Sequence, residues 1–232
     1  FMIQISNLSK KYGETVVFSD LNYTFENACI YGLVGRNGAG KTTLLNILSN
    51  YDKNYTGVIS IDRKKMNKVD YLDMPVAYAM DQPSFFNELT IYENLLLIAS
   101  SRKIKKQEAF DKIERILDGL GLKKYENYSP LELSKGTMQR LNNACAMIQE
   151  EKITIFDEPF SGLDPVQMKL LENVIVEFHK KEKGIYIISS HDIECLQNVC
   201  DKCLLLHNGQ IREINMEEVD REEIAKILSE GE

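Results

Sequence analysis

Apolar and polar positions alternate from the start of the chain. Ile3 and Ile5 are separated by polar residues, and Leu21, Tyr23 and Phe25 repeat the rhythm. A period of two sends successive side chains to opposite faces, so both stretches predict half-buried antiparallel strands. Ile30, Tyr31, Leu33 and Val34 form a denser apolar run, which suits a strand buried on both faces. It leads into a glycine-rich turn at 35–40 and then a helix with Leu44, Leu45, Ile47 and Leu48 on one side. Val58, Ile59 and Ile61 predict a further strand, the basic stretch 63–68 a solvated turn, and 76–80 an apolar strand that ends at Asp81, Gln82 and Pro83.

The period then becomes helical. Phe110, Ile113, Leu117 and Leu120 share one helix face, and Met138, Leu141, Cys145 and Ile148 repeat that spacing. The block 84–150 therefore reads as an all-helical insertion. Apolar strands return at 153–156 and 185–189, with a helix over 170–178 between them. His207, Asn208 and Gly209 separate two short apolar runs and predict a closing hairpin. Val219, Ile224, Ile227 and Leu228 predict a last amphipathic helix. Strands that alternate with helices predict an α/β fold with a largely parallel sheet.

At 232 residues the chain fits one large α/β domain or two small ones, and it is long enough to bury a sizeable core. The net charge of -7 disfavours a nucleic-acid reader, whose binding draws on a basic face. It also disfavours attachment to anionic lipid through charge alone. No apolar run approaches the ~20 residues of a spanning helix, and no secretory pattern opens the sequence. Phe1 before Met2 reads as a cloning remnant. The five cysteines are odd in number and read as reduced thiols. Cys195, Cys200 and Cys203 have a spacing known from iron–sulfur ligation, but they fall on apolar stripes where cysteine acts as a small hydrophobe.

Two motifs carry the chemistry. Gly35, Arg36, Asn37, Gly38, Ala39, Gly40, Lys41 and Thr42 match G-x-x-x-x-G-K-[ST] between a predicted strand and a predicted helix. Glycines let the backbone N–H groups converge on one anion, and the helix N-terminus adds partial positive charge. Lys41 would reach the β- and γ-phosphates, and the Thr42 hydroxyl would bind Mg²⁺. The strand 153–156 ends in Asp157 and Glu158, which suit a Mg²⁺ ligand and a general base. Together they specify a P-loop NTPase. Leu133, Ser134, Lys135, Gly136 and Thr137 precede a helix, so Ser134 reads either as its N-cap or as part of a second phosphate-binding helix N-terminus.

With Gln82, Ser161, Gly162, Leu163, Asp164 and His191 added in order, the chain from Met2 to about Ile214 resembles the ABC (ATP-binding cassette) ATPase family. That resemblance implies a RecA-like, mostly parallel core, an N-terminal antiparallel β subdomain and the helical subdomain at 84–150, all within one cassette over 2–232. It implies ATP and Mg²⁺ as cofactors. Tyr12 would stack on adenine beside Val17, and Thr43 would follow Thr42 at the phosphates. Thr42, Gln82 and Asp157 would hold the metal. Glu158 would be the base, assisted by Lys41, Gln82 and His191. Ser134, Gly136 and Asp164 would meet the ATP of a second cassette.

The family signature is L-S-G-G-Q, and this chain departs from it at Lys135 and Thr137. Its Ser-Lys-Gly run resembles short exporter cassettes, and the lack of an extra C-terminal regulatory domain leans the same way. A membrane-spanning permease would be contacted through the helical subdomain and the stretch 83–94, which opens at Pro83 and closes at Asn94. The resemblance thus implies a peripheral subunit on the cytoplasmic face of the cell membrane. The alternative is a soluble ABC ATPase acting on nucleic acid or in an assembly system. Tandem cassettes of that kind need two phosphate loops, and repair ATPases carry a long internal coiled coil; neither is present.

Overall fold

The computed structural model describes residues 1–69, 73–191 and 193–215. The chain opens with β1 (Met2–Tyr12), β2 (Thr15–Glu26), β3 (Cys29–Val34), α1 (Lys41–Leu48), β4 (Thr56–Ile61), β5 (Lys64–Lys65) and β6 (Val76–Ala79). Three consecutive helices follow, α2 (Ile91–Ser101), α3 (Lys106–Gly119) and α4 (Lys135–Met147). The chain then runs through β7 (Ile153–Phe156), α5 (Pro165–Glu182), β8 (Ile185–Ser190), α6 (Glu194–Gln197), β9 (Lys202–His207) and β10 (Gln210–Ile214). The helix predicted around Val219 to Leu228 lies outside the described residues.

The strands form two sheets. One is antiparallel, in the order β2-β1-β4-β5. The other has the order β10-β9-β3-β8-β7-β6 and is parallel except for the terminal β10. Period-two alternation divides the parallel strands between two cores. Ile30 and Val34 of β3, Phe156 of β7 and Tyr186 and Ile188 of β8 face the helices α2 to α5. Tyr31 and Leu33, Ile153 and Ile155, and Ile185 and Ile187 face α1 and the antiparallel sheet. A strand covered on both faces must be apolar throughout, which is why β3, β7 and most of β8 read as unbroken runs. The structure is thus the P-loop NTPase fold with an antiparallel β part at its N-terminus.

Two local readings change. The stretch 63–68 is not wholly a solvated turn. Lys64 and Lys65 pair with β4, and Met66 is fully buried beneath them as the start of a short 3-10 turn. A single apolar residue among lysines pins the segment to the core while the charged side chains stay wet. The buried surface of α4 is also wider than its apolar stripe, because Asn142 and Asn143 are buried too. Asn142 Nδ2 donates to the Met80 carbonyl at 2.7 Å and Asn143 Nδ2 to the Pro159 carbonyl at 3.2 Å. The helix therefore fastens the loops after β6 and β7.

Asn94 does the same for the loop that enters α2. Its Nδ2 donates to the carbonyls of Phe86, Leu89 and Thr90 at 3.0, 3.2 and 2.9 Å, and its Oδ1 accepts from Phe86 N at 3.0 Å. Replacing it leaves buried backbone groups unpaired. Asn94→Ala should destabilise the chain by roughly 1–3 kcal/mol, read as a lower thermal unfolding midpoint. An unchanged midpoint would show that the loop is held by other contacts.

Candidate functional site

The phosphate loop leaves the end of β3 and enters α1. Gly40 is the residue before the helix, at φ 100°, and a Cβ there would come 2.7 Å from Val17 Cγ1. Only glycine fits that combination of backbone and neighbours. No side chain among the described residues caps α1, so its first N–H groups face the cleft uncapped. Such a terminus is a ready anion site. Lys41 is buried, with Nζ 2.8 Å from the Gly35 carbonyl and 3.4 Å from that of Arg36.

The carboxylates come from the end of β7. Asp157 is buried, and burial holds its carboxyl above the ordinary carboxylate range, against the Ser189 and Thr42 hydroxyls, which lower it. Ser189 Oγ donates to Asp157 Oδ1 at 2.5 Å, and the Tyr78 hydroxyl approaches Oδ2 at 3.4 Å. An acid so enclosed, joined to the first threonine of α1, fits a divalent cation, whose charge would offset the desolvation. Glu158 has φ 50°, a conformation that non-glycine residues adopt at a cost of about 1–3 kcal/mol. It persists because both sides of its backbone are bound. Glu158 N donates to Ser189 Oγ at 2.9 Å, and its carbonyl accepts from Ser161 N at 3.1 Å and Gln139 Nε2 at 3.3 Å. The turn aims the carboxylate into the cleft, with Oε1 3.5 Å from Lys41 Nζ and Oε2 3.0 Å from His191 Nδ1.

These groups line one cleft of about 530 Å³. Tyr12, Val17, Asn37, Gly38, Gly40, Lys41, Thr42, Thr43, Glu158 and His191 all border it. Tyr12 is held in place by its neighbours, since its hydroxyl lies 3.1 Å from Asp52 Oδ2 and the Lys10 ammonium sits 4.5 Å from its ring centre. Gly35 and Asp157 are buried. Arg36 and Ala39 border the neighbouring depression beside His207. Gln82 is exposed and does not border the cleft; Asp81 does.

Ser134 and Asp164 are elsewhere. They share a second depression, where Ser134 caps α4 and Asp164 Oδ1 caps α5 by accepting from Gln167 N at 2.9 Å. Gly136 packs behind them, where a Cβ would meet the Gly162 carbonyl at 3.0 Å. The candidate residues thus divide into two groups on separate parts of the surface.

The comparisons with known proteins agree with this geometry. A family model described as ABC transporter matches residues 18–161, more than half of the chain. The chain belongs to the ABC transporter family. It is 30% identical to a bacitracin transport ATP-binding protein of Enterococcus faecalis, over 95% of this chain and 71% of the relative. It is also 30% identical to a tungstate uptake system ATP-binding protein of Peptoclostridium acidaminophilum, over 91% of this chain and 97% of the relative. Among solved structures, an ATP-binding subunit of an ABC transporter superposes with a TM-score of 0.85 at 27% identity, covering 98% of this chain and 95% of the other.

In this ABC transporter chain the sequence reading missed Ser189, Tyr78 and Asp81. A signal for Ser189 exists, since an otherwise apolar strand ends in two serines just before His191. Ser189 is fully buried and joins both acids of the site. Ser189→Ala should lower the ATPase kcat about tenfold while KM for ATP stays within about twofold, because the aim of Glu158 is lost and the phosphate grip is not. Steady-state kinetics check this; a rise in KM at constant kcat would assign Ser189 to binding instead.

Proposed function

We propose that the chain is the ATP-hydrolysing subunit of a transporter, working as one of two cassettes that drive a separate membrane-spanning chain. One observation carries the reading. Glu158 is fixed in a strained turn between Lys41 and His191 above the phosphate loop, while Ser134 and Asp164 face a different depression. A catalytic base beside its own phosphate loop needs the second phosphate-binding terminus from another cassette.

ATP would lie on the loop 35–43, with its base against Tyr12 and Val17 and its phosphates at Lys41 and the first N–H groups of α1. Mg²⁺, when held by Thr42 and Asp157, supplies charge neutralisation at the phosphates. Glu158 accepts the proton of the attacking water, and His191 steadies the carboxylate and reaches the γ-phosphate. Positioning and fixed charge do most of the work in such a transfer. Ser134, Gly136 and Asp164 of each cassette would close over the ATP of the other, so nucleotide joins the pair and hydrolysis releases it.

Among the described residues no helix is long and apolar enough to cross a membrane. The helical block 84–150 and the stretch 83–94 are the surface we assign to the membrane chain. There Phe86 is 59% exposed on the loop that Asn94 holds. Such a subunit would sit on the cytoplasmic face of the membrane. We infer export from the Ser-Lys-Gly signature.

Glu158→Gln should bind Mg·ATP and accumulate as a dimer while ATPase activity falls roughly 100-fold or more. Light scattering and phosphate release check it, and near wild-type turnover would remove Glu158 from the mechanism. Lys41→Ala should weaken ATP binding at least about tenfold in calorimetry, since the phosphates lose a charge-assisted contact. Unchanged affinity would count against the phosphate-loop assignment.

A further inference from the structure

The two departures from the family signature differ in kind. Lys135 is exposed, whereas Thr137 is 3% exposed and sits inside a chain of hydrogen bonds. Arg140, itself 5% exposed, donates from Nη2 to Thr137 Oγ1 at 3.2 Å. Three of its other four N–H groups are also engaged: two on Nη1 with the carbonyls of Leu120 at 2.6 Å and Gly121 at 3.2 Å, and Nε with that of Gly136 at 3.4 Å. Thr137 Oγ1 lies 2.9 Å from Ser134 Oγ, and Thr137 N donates to the same Ser134 oxygen at 3.3 Å.

Counting protons gives this chain a direction. A guanidinium has donors and no acceptor, so Arg140 must donate and Thr137 must accept. A hydroxyl has one proton. Among the described residues, Thr137 Oγ1 has two partners, Arg140 Nη2 and Ser134 Oγ. Thr137 Oγ1 could accept from both, but its own proton, on a buried residue, has Ser134 Oγ as its one partner oxygen among the described residues, so the arrangement that pairs every buried proton sends it to Ser134. Ser134 Oγ then accepts twice, from Thr137 N–H and Thr137 O–H, and both its lone pairs are used. Its own proton is left over, on an exposed residue at the N-terminus of α4.

We propose that Thr137, oriented by Arg140, is a positioning residue that turns the Ser134 hydroxyl into an outward-facing donor for the γ-phosphate held by the other cassette. A serine hydroxyl unaided can accept as readily as donate, and an accepting oxygen repels an anion. The relay removes that ambiguity before the phosphate arrives. Thr137 thereby contributes to the shared site without touching nucleotide, and the buried arginine ties its orientation to the Leu120–Gly121 turn that ends α3. The proposal rests on the paired-cassette reading above.

The test uses the full chain carrying Glu158→Gln, with dimer formation followed by light scattering as Mg·ATP is raised. Thr137→Val should shift half-maximal dimerisation to at least about tenfold higher ATP. Thr137→Ser should stay within about twofold, while calorimetric binding of ATP to the monomer is unchanged in both. If the valine variant does not fold, Thr137→Ala carries the same expectation. In a Ser134→Ala background the Thr137 substitution should have no further effect, since the relay acts through that one hydroxyl. A valine variant that dimerises like its parent overturns the relay alone. So does a serine variant as weak as valine, or full additivity with Ser134→Ala. Failure of the Glu158→Gln chain itself to dimerise on Mg·ATP overturns the paired reading and the relay with it.

Discussion

A carboxylate taken out of water must be compensated, and that requirement organises the edge of the parallel sheet where the chemistry sits. Asp157 is buried at the end of β7, and its stability as an anion depends on what neighbouring elements bring to it. Ser189 arrives from β8 by parallel pairing, Thr42 from the first turn of α1, and Tyr78 from β6 on the other side. Each is placed by the register of its own element. The same Ser189 oxygen accepts from Glu158 N, so the group that steadies Asp157, the metal ligand we propose, also fixes the strained turn of Glu158, the proposed base. The two carboxylates are coupled through one hydroxyl.

What that edge lacks is a second positive terminus for the far side of the phosphates. The chain has one at α4, but α4 is anchored by Asn142 and Asn143 to the loops after β6 and β7, and its N-terminus opens onto another depression. Those anchors are neutral side chains bound to carbonyls, which fix distance and carry no charge to the active cleft. The two groups are held apart within one chain by ordinary packing, and in the pairing we propose nucleotide would bridge two chains.

Much of this was legible in the residues alone. The strand, glycine turn and helix from 30 to 48 are a local pattern, and Asp157 and Glu158 follow an unmistakable buried strand. Their functions depend on chemistry concentrated within a few residues. Ser189 and Tyr78 were not legible in that way. They act on Asp157 through pairing between strands far apart in sequence, and the two serines that end β8 stand out locally without saying which acid they meet. Asn142 and Asn143 were hidden for a related reason. An apolar-stripe reading treats polar positions as solvated, yet a helix enclosed on several sides can bury amides that find carbonyls. The stretch 63–68 was misjudged because one methionine outweighs several lysines in deciding where a segment lies. Gln82 shows the limit of motif order, since the register at the end of β6 turns Asp81, and not its neighbour, toward the cleft.

The helical block is joined to the core by a charge cluster as well as by apolar packing. Lys112 of α3 is buried, with Nζ 2.6 Å from Glu150 and 3.4 Å from Glu182. Burial draws its ammonium below the ordinary lysine range, and the two glutamates oppose that shift. Glu182 in turn accepts from the Tyr186 hydroxyl at 2.6 Å. Tyr186 lies near the start of β8, and Ser189 and His191 lie at its far end. β8 therefore meets Glu182, the α5 partner of Lys112, near its start and Asp157 and Glu158 at its far end. Because breaking one partner of a buried pair leaves an uncompensated charge, this cluster resists sliding of α3 across the core.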